Sequence, residues 1–175
     1  AIGLADPGAG TIVDITACPG TDTCKLGIAS SRGLADELRQ MLTPKQWELD
    51  EAVRNLRIKI SGCFNSCGQH HIADLGFYGN SRTFKGYKVP HFQVVLGGQW
   101  TNNAGSFGLA IGAVPSKNIP MVVLKLADFY VENRSSKDES FQKYFSGQKK
   151  SVLKEQILEF MEVPPYLEDA SYYTD

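Results

Sequence analysis

Ser61-Gly62-Cys63-Phe64-Asn65-Ser66-Cys67-Gly68-Gln69 holds two of the four cysteines of this 175-residue chain. It directly follows Leu56-Arg57-Ile58-Lys59-Ile60, the clearest strand pattern in the sequence, with Leu56, Ile58 and Ile60 on one face and Arg57 and Lys59 on the other. The other two cysteines lie upstream in Cys18-Pro19-Gly20-Thr21-Asp22-Thr23-Cys24, a second glycine-containing loop. Two cysteine pairs in loops, with none left over, point to a site built from four thiolates.

Working outward, Thr11–Thr16 carries β-branched residues and reads as a short strand delivering Cys18, after an irregular lead-in over residues 1–10. Beyond Cys24, Leu26, Ile28 or Ala29, Leu34, Leu38 and Leu42 recur at helical steps, and Thr43-Pro44 ends that helix. A second short helix through Leu49, with Trp47 turned inward, is expected next. Downstream of the second cysteine loop, Ile72–Tyr78 reads as a strand, Gly79-Asn80 as a turn and Arg82–Val89 as a hairpin arm. His91–Leu96 follows as a further strand, and Trp100–Gly112 reads as a loop. The final third is helical: one helix runs from Pro115–Pro120 to Asn133 and a short one over Ser140–Phe145. A longer one, Ser151–Met161, turns Val152, Leu153, Ile157, Leu158 and Met161 inward. Strands precede helices without alternating, so the expected class is α+β, a mixed or antiparallel sheet with helices packed on it, in one domain over 1–175.

Composition is that of a globular chain, with a fifth of residues charged and a net charge of −1. That charge gives no field to attract nucleic acid or an anionic membrane. No apolar run is long enough for a membrane helix, and no signal-peptide pattern opens the chain, so we expect a cytoplasmic setting with reduced thiols. No Met precedes Ala1, and we expect a chain cut from something longer.

Five residues separate Cys18 from Cys24, and three separate Cys63 from Cys67. Zinc knuckles usually enclose two to four residues, so the first pair is off-pattern for zinc. Disulfides need an oxidising compartment, and buried unliganded cysteines favour apolar runs over Pro- and Gly-bearing loops. Soft thiolates suit an iron–sulfur cluster, which becomes the favoured reading while zinc and unliganded thiols stay open.

The two quoted cysteine loops, with Ile72-Ala73-Asp74-Leu75-Gly76-Phe77 and Leu96-Gly97-Gly98, resemble the sirohaem/[4Fe–4S] domain of the nitrite and sulfite reductase family. The resemblance implies that Cys18, Cys24, Cys63 and Cys67 ligate the [4Fe–4S] cluster. It further implies that Cys67 bridges to the sirohaem iron as the catalytic axial thiolate, and that Asn65 donates to cluster or macrocycle. Phe64 stands where the family usually has Pro. The implied activity is six-electron reduction of sulfite or nitrite, with electrons from a ferredoxin or flavoprotein. Family members carry substrate-binding Arg and Lys upstream of the first pair, whereas residues 1–17 here contain none. We therefore expect the cluster-bearing C-terminal part of a larger reductase, inactive without its N-terminal half. A cluster-only electron-transfer module and a zinc-stabilised interaction domain are the alternatives. His70 and His71 are candidates to line the haem or move protons. Arg57 and Lys59 face sirohaem carboxylates or solvent, Lys149, Lys150 and Lys154 form a solvated face, and Trp100 packs.

Overall fold

The computed structural model describes residues 8–101 and 105–174. The start of the lead-in (1–7), part of the Trp100–Gly112 loop (102–104) and Asp175 lie outside the described residues. One five-stranded sheet runs in chain order: β1 (Thr16–Ala17), β2 (Ile58–Ser61), β3 (Leu75–Phe84), β4 (Tyr87–Leu96) and β5 (Leu109–Pro115). β1, β2 and β3 are parallel, and β3, β4 and β5 are antiparallel, so the sheet is mixed as expected. The helices are α1 (Ser31–Leu42), α2 (Glu51–Arg54), α3 (Ile119–Asn133), α4 (Phe141–Ser146) and α5 (Lys150–Glu155).

Alternation along β2 buries Ile58 and Ile60 under α1, whose Leu34, Leu38 and Leu42 form its apolar stripe. Ser30 caps α1 by accepting the Gly33 N–H at 3.2 Å. Phe77, Phe92, Val94 and Leu96 continue the core toward Val122, Val123, Leu126 and Tyr130 of α3. A crossover joins each parallel pair. The one from β1 to β2 contains α1 and α2, and the one from β2 to β3 is the second cysteine loop.

Several expectations are corrected. Residues 11–15 are not a strand: Thr11 N–H donates to Gly8 O, Asp14 N–H to Thr11 O and Ile12 N–H to Arg54 O. Their Ile12, Val13 and Ile15 side chains enter the core from an irregular segment, and only Thr16–Ala17 pairs with β2. The first helix starts at Ser31 rather than near Leu26, because Ile28 and Ala29 give their N–H groups to Gly62 O instead. Turns replace a helix between Pro44 and Leu49; Trp47 is 57% exposed and lies beside the Arg54 guanidinium, and Asp50 caps α2 instead.

Gly79-Asn80 is not a turn but the middle of β3. The hairpin closes at Lys85-Gly86, both at positive φ (47° and 89°), the two-residue geometry that matches strand twist. Leu109–Pro115, half of it read as loop, is β5; a register shift at Val94/Val95 and Gly112 break the alternation a strand would show. α5 ends at Glu155, and a separate 3₁₀ turn over Leu158–Met161 leaves Leu158 and Val152 exposed while Leu153 and Ile157 are buried. Among the described residues no helix is long and apolar enough to cross a membrane.

Candidate iron–sulfur site

Parallel pairing fixes where the cysteines emerge. Thr16 lies beside Lys59 and Ala17 beside Ile60, so β1 and β2 end level, one running into Cys18 and the other into Cys63. The Cys18 N–H continues the ladder to Ile60 O at 3.1 Å. The two loops then pack backbone against backbone. Gly62 O accepts the N–H groups of Ile28 (2.8 Å) and Ala29 (3.1 Å), which lie just beyond Cys24. A Cβ on Gly62 would stand 2.6 Å from Gly20 Cα, and one on Gly27 would stand 2.8 Å from the Gly20 carbonyl carbon. A Cβ on Gly79 would strike Gly62 O from β3 below. Only glycine permits this approach, and Gly20 itself sits at φ 58°.

All four cysteines are free thiols; Cys63 is buried, Cys18 half-buried, and Cys24 and Cys67 exposed. Cys18 Sγ accepts the Gly62 N–H at 3.1 Å and stands 3.5 Å from Ser31 Oγ, which donates to the Cys18 carbonyl at 2.7 Å. Burial pushes the Cys18 thiol up, but these contacts with Ser31, Gly62 and Gly20 outweigh it and hold the thiol below its ordinary value. N–H groups directed at sulfur are what a thiolate ligand needs. Among the described residues no three His, Cys, Asp or Glu side chains converge tightly enough to hold a single metal ion.

A second network shapes the loop from behind. Ser61 Oγ accepts the Gly68 N–H at 3.0 Å and shares a proton with His70 Nδ1 at 2.9 Å. His70 is buried, its ring 4.1 Å from that of His71 and 4.6 Å from that of Tyr78. Burial, then the neighbouring His71, push its pKa down to about 4, so the imidazole is neutral. Ser66, at φ 61°, contacts His71 Nδ1 at 2.8 Å. His70 thus braces the loop from inside, while half-buried His71 stands nearer the surface beside Phe107.

Asn65 and Phe64 are exposed on the loop tip. Arg57 and Lys59 are half-buried, Trp100 lies over the Arg57 guanidinium, and Lys149, Lys150 and Lys154 are exposed as expected. Sequence reasoning missed Ser31, Ser61 and Gly79. The signal for Ser31 is a polar residue at the start of an amphipathic helix, here fully buried; for Gly79 it is a glycine within a run of strand-forming residues.

The family model for the nitrite and sulphite reductase 4Fe-4S domain matches residues 8–143, most of the chain. An assimilatory ferredoxin-dependent nitrite reductase from Haloferax mediterranei is 24% identical over 88% of this chain and 26% of its own length. A sulfite reductase [ferredoxin] from Mycobacterium tuberculosis is 34% identical over 70% of this chain and 22% of its own length. The solved structure of the Mycobacterium tuberculosis NirA protein superimposes with a TM-score of 0.65 at 30% identity, covering 79% of this chain and 26% of that one. The chain therefore spans about a quarter of the length of these relatives. A family defined by an iron–sulfur centre matches across both cysteine loops, and the chain belongs to the nitrite and sulphite reductase 4Fe-4S domain family.

Proposed function

We propose that this chain is the cluster-bearing domain of an assimilatory nitrite or sulfite reductase, with Cys18, Cys24, Cys63 and Cys67 holding a [4Fe–4S] cluster. Cys67 would in addition hold a sirohaem iron through its thiolate, and Asn65 would donate to cluster or macrocycle. The observation that carries this reading is the closure of the two loops on Gly62: its N–H meets Cys18 Sγ while its carbonyl holds the backbone just past Cys24. A single zinc ion draws its ligands to one point, and no such convergence is present among the described residues. The match of the 4Fe-4S domain family across both cysteine loops favours the polynuclear group.

When bound, the cofactors supply the redox chemistry, a six-electron reduction of sulfite to sulfide or nitrite to ammonium with electrons delivered singly by a ferredoxin or flavoprotein. The chain's own residues have three tasks. Gly62 directs its N–H at Cys18 Sγ and favours the thiolate, while Ser31 donates to the Cys18 carbonyl and holds the backbone there. Ser61 and His70 fix the backbone at Gly68, next to Cys67. Cys67 and Cys24 reach the surface, where a cofactor edge and the rest of a reductase could meet them. With about a quarter of the relatives' length, the chain needs further polypeptide to bind the oxyanion and turn it over.

Anaerobically purified protein tests this directly. About four irons and four sulfides per chain are expected, with a broad absorption band; sharp haem bands join it where sirohaem is held. Stoichiometric zinc without iron or sulfide would refute the proposal, and a cluster spectrum that never acquires haem bands in a full-length reductase would reduce it to a cluster-only module. Cys67→Ser in that full-length reductase is expected to abolish coupled haem–cluster signals, whereas an unchanged spectrum would remove the bridging assignment.

A further inference from the structure

The C-terminal segment crosses the β3–β4 hairpin without closing on it. It is pinned where the Asn118 amide donates to Phe160 O at 2.9 Å, where Tyr173 OH donates to Pro164 O at 2.7 Å, and where Tyr166 stacks on Tyr87. Between these pins, residues 161–163 stand off the hairpin and leave a cavity of about 460 Å³. Arg82, Phe84 and His91 line it on the hairpin side, and Met161, Glu162 and Val163 on the other. Both walls are held by contacts outside the cavity, so the space is built into the fold, and its size is ordinary for a small-molecule site.

Three polar groups meet this space. His91 forms the floor and is 3% exposed. Its Nδ1–H donates to Val89 O at 2.9 Å, which leaves Nε2 as the acceptor toward the cavity. Burial holds the ring below its ordinary pKa, against the Val89 bond that raises it, so the imidazole is neutral near neutral pH. Arg82 faces Val89 in register and His91 follows Val89 by two, so both side chains rise from one face of the hairpin. Glu162 comes from the opposite wall, and both charges are exposed at the rim. Ion pairs among the described residues join Arg32 to Asp22 and Arg134 to Asp50; Arg82 and Glu162 do not pair across the gap. A buried acceptor thus lies below a cation and an anion held apart.

We propose that this cavity binds a small zwitterion of the α-amino acid class. The Arg82 guanidinium takes the carboxylate as a fork. Glu162 and His91 Nε2 take the ammonium, which has donors for both. Phe84, Met161 and Val163 offer apolar surface to the side chain of the ligand. A simple anion would meet the Glu162 carboxylate and the His91 lone pair, and a simple amine would meet the Arg82 charge, so neither suits both walls. The site uses no cysteine and stands independently of the iron–sulfur reading.

The Nε2 resonance of His91, assigned by its absence in His91→Gln, is followed near neutral pH while the chain is titrated with three probes. These are L-leucine, N-acetyl-L-leucine, which lacks the ammonium, and L-leucinamide, which lacks the carboxylate. A saturable shift is expected with L-leucine, and each blocked compound is expected to bind about fivefold more weakly, the loss that one exposed ion pair at its strongest implies. Arg82→Met is expected to bring L-leucine down to L-leucinamide and leave L-leucinamide unchanged. Glu162→Gln is expected to weaken L-leucine and leave N-acetyl-L-leucine unchanged, and Lys154→Gln on α5 to change nothing. The site is overturned by the lack of a saturable shift, or by blocked compounds that bind as tightly as L-leucine. Full-strength L-leucine binding in both Arg82→Met and Glu162→Gln chains that fold by circular dichroism overturns it as well. Iron and sulfide are assayed on the same samples. L-leucine binding in a chain that cannot hold iron would sink the reductase reading and leave this site standing. A normal cluster without L-leucine binding would sink the site alone.

Discussion

Ser61 is where the strand becomes the site. Its hydroxyl takes the Gly68 N–H and shares a proton with Nδ1 of the neutral His70 imidazole. Burial resists charging that ring, and the neighbouring His71 adds to the resistance. The His70 pKa falls from its ordinary 6.5 to about 4, so the unfolded chain takes up a proton in this interval that the folded chain refuses. The resulting stability is complete above pH 6.5 and is lost as pH falls from 6.5 toward 4. Urea midpoints from pH 7 to pH 4 are therefore expected to fall more steeply for the native chain than for His70→Gln. His91, also held below its ordinary value by burial, titrates in both proteins, so the difference isolates His70. Parallel pH profiles would refute the coupling.

At the scale of elements, the β3–β4 hairpin is closed by Lys85 and Gly86, and Lys85 occupies the left-handed region where a side chain is strained. Asn tolerates that conformation, so Lys85→Asn is expected to stabilise the chain by a few tenths of a kcal/mol to about 1 kcal/mol in equilibrium unfolding. This turn also shows where sequence reading reached its limit. Gly79-Asn80 carries stronger turn chemistry than Lys85-Gly86, yet Gly79 is a glycine because Gly62 O sits against it, a contact between segments seventeen residues apart that no local pattern reveals. β2 and α1 were legible because one face of each is buried and the other is not, and their periods of 2 and 3.6 record it. β5 was not, since its register shift breaks the period. The four cysteines marked, by residue type, the two loops that the fold brings together. The Ser61–His70 brace did not, because serine and histidine beside a polar loop look like surface residues until the fold buries them.

Across the whole molecule, the C-terminal residues act as a strap. Tyr166 stacks on Tyr87 at 4.5 Å with rings nearly parallel, Tyr173 meets both edge-on, and Tyr172 donates to Asn118 Oδ1 at 2.7 Å. These contacts tie the start of β4 to the turn before α3. Ending the chain at Pro165 is expected to cost about 1–3 kcal/mol of stability, from the aromatic pairs and one hydrogen bond, without changing iron content; a loss of iron would show that the strap reaches the site. The sheet's strand order has a consequence in time as well as in space. β3 and β4 meet through a two-residue turn, whereas β1 meets β2 only after a crossover of about forty residues has closed. The hairpin can assemble early and locally, while the meeting of the two cysteine loops is expected late in folding. On refolding, Cys63 and Cys67 are expected to take their places beside β3 before Cys18 and Cys24 join them, an order that pulsed thiol alkylation would read. The proposed iron–sulfur centre would then be loaded into a half-open cradle, and closing it would finish the fold.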